Sequence, residues 1–203
     1  MNKVFHRIFS LVLAISLLFC ISAVQAENTE YPLEVHVDMA ELTVRLPSSS
    51  IYVTQDSTVN DLYFQIAGAD SYDAVMADLT TNSVYFDGID MGYSWEIRIA
   101  VQPGAPFSLK GSNQAFAQMY LDAIVSDFTN RGVKVDDTFV CESDDHTFLA
   151  LRANMGGRNM YTIMTTSGTK LLAITIADVY AGSIAMDELK NVTMAIINGF
   201  VFD

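Results

Sequence analysis

Tyr161-Thr162-Ile163-Met164-Thr165-Thr166-Ser167-Gly168-Thr169-Lys170-Leu171-Leu172-Ala173-Ile174-Thr175-Ile176-Ala177 is the stretch that decides the fold class. Two strand-like runs, Tyr161–Thr166 and Leu171–Ala177, flank Ser167-Gly168, which fits a tight turn. A hairpin of this kind makes neighbouring strands antiparallel. Upstream, Val133–Asp136 running into Thr138–Glu142, and then Thr147–Arg152, continue the same meander.

The helices frame this meander. Ser112 to Asn130 carries Phe116, Met119, Tyr120, Ala123, Ile124 and Phe128 on one stripe, with Gln118, Asp122 and Asp127 off it. Ser112 is the expected N-cap and Gly132 the expected stop. A final helix runs from a Ser183 cap to about Ile197, with Leu189, Val192, Ile196 and Ile197 inward. Asn198-Gly199 ends it, and Phe200-Val201-Phe202 returns extended.

In the first half, Leu33, Val35, Val37 and Met39 alternate with Glu34, His36 and Asp38, and Leu42, Val44 and Leu46 with Glu41, Thr43 and Arg45 until Pro47. Period two marks half-buried strands. Ile51–Thr54 is a further short strand. Thr58 to Leu79 reads as a helical insert broken at Gly68, with Ser71 as a second cap. Val84–Gly88 is strand-like and closes on a turn signal, Asp87-Gly88-Ile89-Asp90. Trp95, Ile97, Ile99 and Val101 then alternate with Ser94, Glu96, Arg98 and Ala100 up to Pro103-Gly104-Ala105-Pro106. The expectation is an α+β domain: an antiparallel sheet meander, a long middle helix and a C-terminal helix packed on it, plus the N-terminal helical insert.

Leu42-Thr43-Val44-Arg45-Leu46-Pro47 resembles the opening strand of the PsbP-like α+β fold. Asn82-Ser83-Val84-Tyr85-Phe86-Asp87-Gly88-Ile89, the Tyr161–Ala177 hairpin and the ending Ile196–Phe202 are similar to later parts of that fold, as found in small secreted bacterial proteins. The resemblance covers about Glu41 to Asp203 and consists of core and turn patterns. It implies mostly non-enzymatic relatives, among them photosystem accessory subunits and a nuclear GTPase-binding protein. It transfers no functional residue.

The first 26 residues predict an export signal. Lys3 and Arg7 precede the apolar run Ile8–Val24, and Val24-Gln25-Ala26 is a small-residue cleavage site before the polar Glu27-Asn28-Thr29-Glu30. The alternatives are retention as an N-terminal anchor, or lipidation at Cys20, for which Phe19 is a poor neighbour. Cleavage leaves 27–203 as one domain with Cys141 alone, so no internal disulfide is possible. Cys141 sits in a strand-like run beside acids and reads as a small buried hydrophobe. With Lys3 and Arg7 removed, 24 acidic residues face nine basic ones, a net charge of −15. Nucleic acid and anionic lipid are poor partners for that surface.

The chemistry-bearing residues are sparse. Only His36 and His146 remain after cleavage, and no G-x-S-x-G is present, so no catalytic set converges. Glu34, His36 and Asp38 point the same way, but about 7 Å apart at about 3.3 Å rise per residue, too wide for one strand to close a zinc site. Glu142, Asp144, Asp145 and His146 form the densest polar cluster, at the tip of an expected hairpin. Asp144, Asp145 and His146 are the candidate cation ligands, without EF-hand spacing. Asn154–Arg158 reads as a hairpin loop, and Met119 and Met194 as core filler. No cofactor motif is present.

These readings favour a secreted, non-catalytic interaction or ligand-binding domain. Its partner would be a protein or small ligand outside the cytoplasm, met on the sheet face or at the loops Asp87–Tyr93 and Ser143–His146. The alternatives are a metal-dependent binder or enzyme using Asp144, Asp145 and His146, and a membrane-tethered accessory subunit of an envelope complex.

Overall fold

The computed structural model describes residues 31–67, 71–143 and 145–203. The signal segment with Cys20, the helix-breaking Gly68 and the candidate ligand Asp144 lie outside the described residues.

Ten strands form two antiparallel sheets among the described residues. The large sheet has seven strands: β3 (Ser50–Thr54), β4 (Val84–Asp90), β5 (Trp95–Pro103), β6 (Val135–Ser143), β7 (His146–Met155), β8 (Arg158–Ser167) and β9 (Lys170–Asp178). Their spatial order is β3-β4-β5-β9-β8-β7-β6. The small sheet places β2 (Leu42–Leu46) between β1 (Leu33–Val37) and β10 (Val201–Phe202). The helices are α1 (Leu62–Ala67), α2 (Tyr72–Thr81), α3 (Gln114–Asn130) and α4 (Met186–Gly199).

The opening hairpin of the sequence reading forms as expected. Ser167 pairs with Lys170, and Gly168 supplies the turn at φ +54°. Gly156 and Gly157 close the β7–β8 hairpin at φ +63° and +87°, a conformation that L side chains adopt at a cost.

Both faces of the large sheet are covered, but by different elements. One face carries the main core: Trp95, Ile97, Ile99 and Val101 of β5 pack with Ile174 and Ile176 of β9, beneath α4 and the small sheet. On the other face, α3 lies over Leu149, Leu151 and Ala153 of β7, and α1 and α2 lie over Val53 and Val84. Strand β7 is therefore buried on both sides and reads as an apolar run, not an alternation. A register shift between Val84 and Phe86 lets these two residues, two apart on β4, feed opposite cores.

Several local expectations shift. Strand β4 continues through Gly88 to Asp90, so the expected turn at Asp87–Asp90 is strand and the true turn follows at Met91–Ser94. Gly88 is there for space: a Cβ would meet Phe86 at 3.0 Å. The cap of α3 is Asn113, whose side chain accepts from Phe116 N–H at 2.9 Å; Ser112 instead donates to Thr147. Ser183 spends its hydroxyl on the Ser94 carbonyl at 2.6 Å and Ala185 takes the cap position of α4. The buried stripe of α3 centres on Ala117 and Leu121, one position round from the expected one, which leaves Met119 57% exposed. β1 ends at Val37, and a 3-10 turn Asp38–Ala40 swings Met39 outward.

Candidate functional site

The chain crosses from the small sheet to the large one at Leu46-Pro47, and the crossing builds a groove. Pro47 cannot continue a ladder. Its carbonyl accepts the Ser50 N–H at 3.0 Å, and β3 begins there. β1 and β3 are each the outer strand of their own sheet. They stand on opposite sides of a groove with two lobes, of 460 Å³ and 340 Å³, that share Tyr52, Thr54 and Asp56. Leu33, Ser50 and Asp61 complete the larger lobe, and His36, Asp38 and Tyr85 the smaller.

The end of the groove is shaped by local side-chain bonds. Thr54 N–H donates to Ser57 Oγ at 2.9 Å, and Thr58 N–H to the Asp61 carboxylate at 2.6 Å, which folds 54–61 into a tight turn ahead of α1. Gln55 anchors that turn to the Val84 carbonyl at 2.8 Å. Tyr52 stacks on Phe86, centroids 5.8 Å apart, which packs its ring against the main core.

Three properties distinguish this groove. Its charge is of one sign: Glu34, Asp38, Asp56 and Asp61 line it, and no lysine or arginine does. Glu34 is neutralised by Arg45 at 2.9 Å, whereas Asp56 and Asp61 form no ion pair among the described residues. Ser50 is 8% exposed, and its hydroxyl has no hydrogen-bond partner among the described residues. A buried unpaired hydroxyl costs about 1–3 kcal/mol and is uncommon in native proteins. Finally, Leu62 is 55% exposed on the wall of the larger lobe, an apolar side chain open to solvent in the groove.

His36 on the small-sheet side is held by Thr43 Oγ1 at 3.2 Å through one ring nitrogen and by Asp38 at 3.2 Å through the other. The order Thr43–His36–Asp38 has the form of a nucleophile, base and orienter. Both His36 and Asp38 are open to solvent, so the carboxylate is hydrated and orients the ring weakly. Glu34 and His36 form the polar outer face expected of β1.

The other predicted residues are dispersed. Ser143 pairs with His146, so the hairpin tip is where the sequence placed it. Asp145 occupies the tip at φ +61° and its carbonyl accepts from Gly111 N–H at 2.9 Å. Asp145 lines a 420 Å³ surface hollow with Glu142 and Gly111; His146 is not on its wall. The His146 ring is 3% exposed and stacks on Phe202, centroids 3.6 Å apart and planes 8° from parallel. Among the described residues no group of three histidine, cysteine or acidic side chains is placed to hold a metal ion. Cys141 is half-buried on β6, and burial pushes its thiol up to about 11.

A second charged strip crosses the opposite, helix-flanked face of the large sheet. Arg98 pairs with Asp78 and, at 3.1 Å, with Asp87; Arg158 pairs with Glu96 at 2.8 Å and donates to the Asp178 carbonyl at 2.5 Å. Burial beneath α1 and α2 pushes the Asp87 carboxyl up to about 7, with Arg98 opposing. Each cation here has its anion, so the strip is internally matched; it ties α2 to the sheet and links β8 to β5 across β9.

Ser50, Asp56 and Asp61 carried no signal in the sequence. Ile51–Thr54 reads only as a short strand, and nothing local says that β1 stands across from it.

No protein-family model and no curated sequence matches the chain. The fold is similar to that of the cyanobacterial PsbP protein from Synechocystis sp. PCC 6803, at TM-score 0.49 and 11% identity, over 84% of this chain and 92% of that one. The immunity protein TplEi from Pseudomonas aeruginosa, solved with a peptide, is similar at TM-score 0.35 and 12% identity, over 95% of this chain and 84% of that one. At such identities the likeness concerns shape alone.

Proposed function

We propose that the chain is an exported, non-catalytic binding domain whose ligand site is the groove between β1 and β3. The outer edge of β3 carries this reading: β3 ends the large sheet on the groove side, and Asp56 and Asp61 beside it form no ion pair among the described residues. The single sign of charge and the exposed Leu62 on the groove wall support it. Export rests on the Lys3–Ala26 segment, which lies outside the described residues. Among those residues no helix is long and apolar enough to cross a membrane.

The metal-binding alternative at Asp144, Asp145 and His146 draws no support from the His146 ring, which is committed to Phe202. The tethered-subunit alternative is decided by sequencing the N-terminus of the exported protein: Glu27 marks a free domain and Met1 an anchored one.

The test of the groove is thermal. Cell-wall fragments, peptides and amines are screened for a rise in Tm of the exported protein, which binding to the native state produces. Tyr52→Ala removes a side chain common to both lobes and is expected to lower the ligand-free Tm and to abolish the ligand-induced rise. A ligand whose effect survives Tyr52→Ala binds elsewhere and removes the groove as the site.

A further inference from the structure

We infer that the groove takes an extended, lysine- or arginine-bearing polypeptide segment, which lies along β3 as an added strand. This rests on the groove being the binding site. The first support is the backbone of β3. Ser50 N–H bonds to the Pro47 carbonyl and Thr54 N–H to Ser57 Oγ, both away from β4. In an antiparallel ladder peptide groups alternate in direction, so Tyr52, midway between them, turns its N–H and C=O to the same open edge. An incoming strand exchanges a pair of hydrogen bonds with Tyr52.

The second support is charge. Asp56 and Asp61 form no ion pair among the described residues, and no lysine or arginine lines either lobe. A cationic side chain alternating along the segment meets these carboxylates; an acidic one is repelled. The third is the exposed Leu62 on the wall of the larger lobe, an apolar contact for the aliphatic stem of a side chain of the segment. The two lobes run the length of β3, five residues, which suits an extended chain better than a single small amine.

The probes are a capped peptide of alternating lysine and valine about six residues long, its glutamate counterpart, the lysine peptide N-methylated on alternate backbone amides, and spermine. Binding to the exported protein is measured by titration calorimetry. The lysine peptide is expected to bind, with the glutamate peptide silent and the N-methylated peptide about tenfold weaker. The Asp56→Asn, Asp61→Asn double variant is expected to lose about tenfold in affinity and much of the salt dependence. Asparagine at 61 still accepts the Thr58 N–H, so the turn survives. Equal binding of the N-methylated peptide, or full competition by spermine at matching concentration, overturns strand addition while leaving the groove as a site. No binding by any lysine probe overturns the inference; a different ligand whose Tm effect is lost in Tyr52→Ala still keeps the groove reading.

Discussion

Lys170 Nζ lies 2.7 Å from Glu41 Oε1, 129 residues away in the chain, and this pair clips the β8–β9 hairpin to the turn that opens the small sheet. Ser167 donates to the other Glu41 oxygen at 3.3 Å. Glu41 itself sits at φ +51°, a left-handed position for a non-glycine residue.

The hydrogen bond from Lys170 holds the Glu41 carboxyl below its ordinary range, and the nearby ammonium charge adds to that. A carboxylate whose folded pKa is depressed contributes stability above its unfolded pKa and loses it as pH falls through the folded one. Glu41→Gln is therefore expected to lower the Tm at neutral pH, by less at high salt, and to match the wild type in strong acid. Differential scanning calorimetry across pH checks this. An identical deficit at all pH values means the pair contributes only packing.

Asp87 runs the other way. Burial pushes its carboxyl up to about 7, so the folded protein binds a proton that the unfolded chain lacks between the ordinary carboxylate range and pH 7. Its destabilising effect is full above pH 7 and gone in acid. Asp87→Asn is expected to raise the Tm at pH 8 relative to wild type, with the gain vanishing towards pH 4. A gain that is flat with pH rules out titration of Asp87 as its origin.

Two glycines separate crowding from conformation. Gly88→Ala places a Cβ 3.0 Å from Phe86 and 3.3 Å from Ile97 and is expected to destabilise by about 1–3 kcal/mol through overpacking. Gly156→Ala meets nothing within 4 Å but must hold φ +63°, and about 1 kcal/mol is expected. The double variant Gly88→Ala with Phe86→Leu, which gives the new methyl room, should recover part of the first loss in urea melts. No recovery removes the crowding account.

His146 tests the hairpin tip. Its ring packs face to face on Phe202, so His146→Ala should lower stability by about 1–3 kcal/mol, and His146→Phe much less. Millimolar calcium or zinc is expected to leave the wild-type Tm in place. A zinc-induced rise lost in both variants would return His146 to the role of a ligand.

Much of the fold was legible because it is written in local periodicity. The β5 alternation Trp95, Ile97, Ile99, Val101 and the turn at Gly168 each specify their own neighbourhood. Caps were misread where a hydroxyl had a more distant use: Ser112 bonds Thr147 and Ser183 bonds Ser94. The Asp87–Asp90 turn was misread because Gly88 is required by Phe86 and Ile97, which no local pattern reveals. The buried stripe of α3 is set by its partners, Leu149 and Leu151 of β7, against which Ala117 and Leu121 pack, and no local pattern reveals them.

The sequence by itself determined the export signal expectation, the antiparallel α+β class, the lone cysteine that follows residue 26 and the sign of the charge. These follow from composition and from periods of two and 3.6 residues, which are properties of short segments. Only the tertiary structure decided that β10 returns to pair with β2, splitting the strands into two sheets, and that β1 and β3 face each other across an acidic groove with Ser50 buried in its wall. Edges and unpaired groups are defined by what lies beside them in space, and the sequence holds no local term for an absent neighbour.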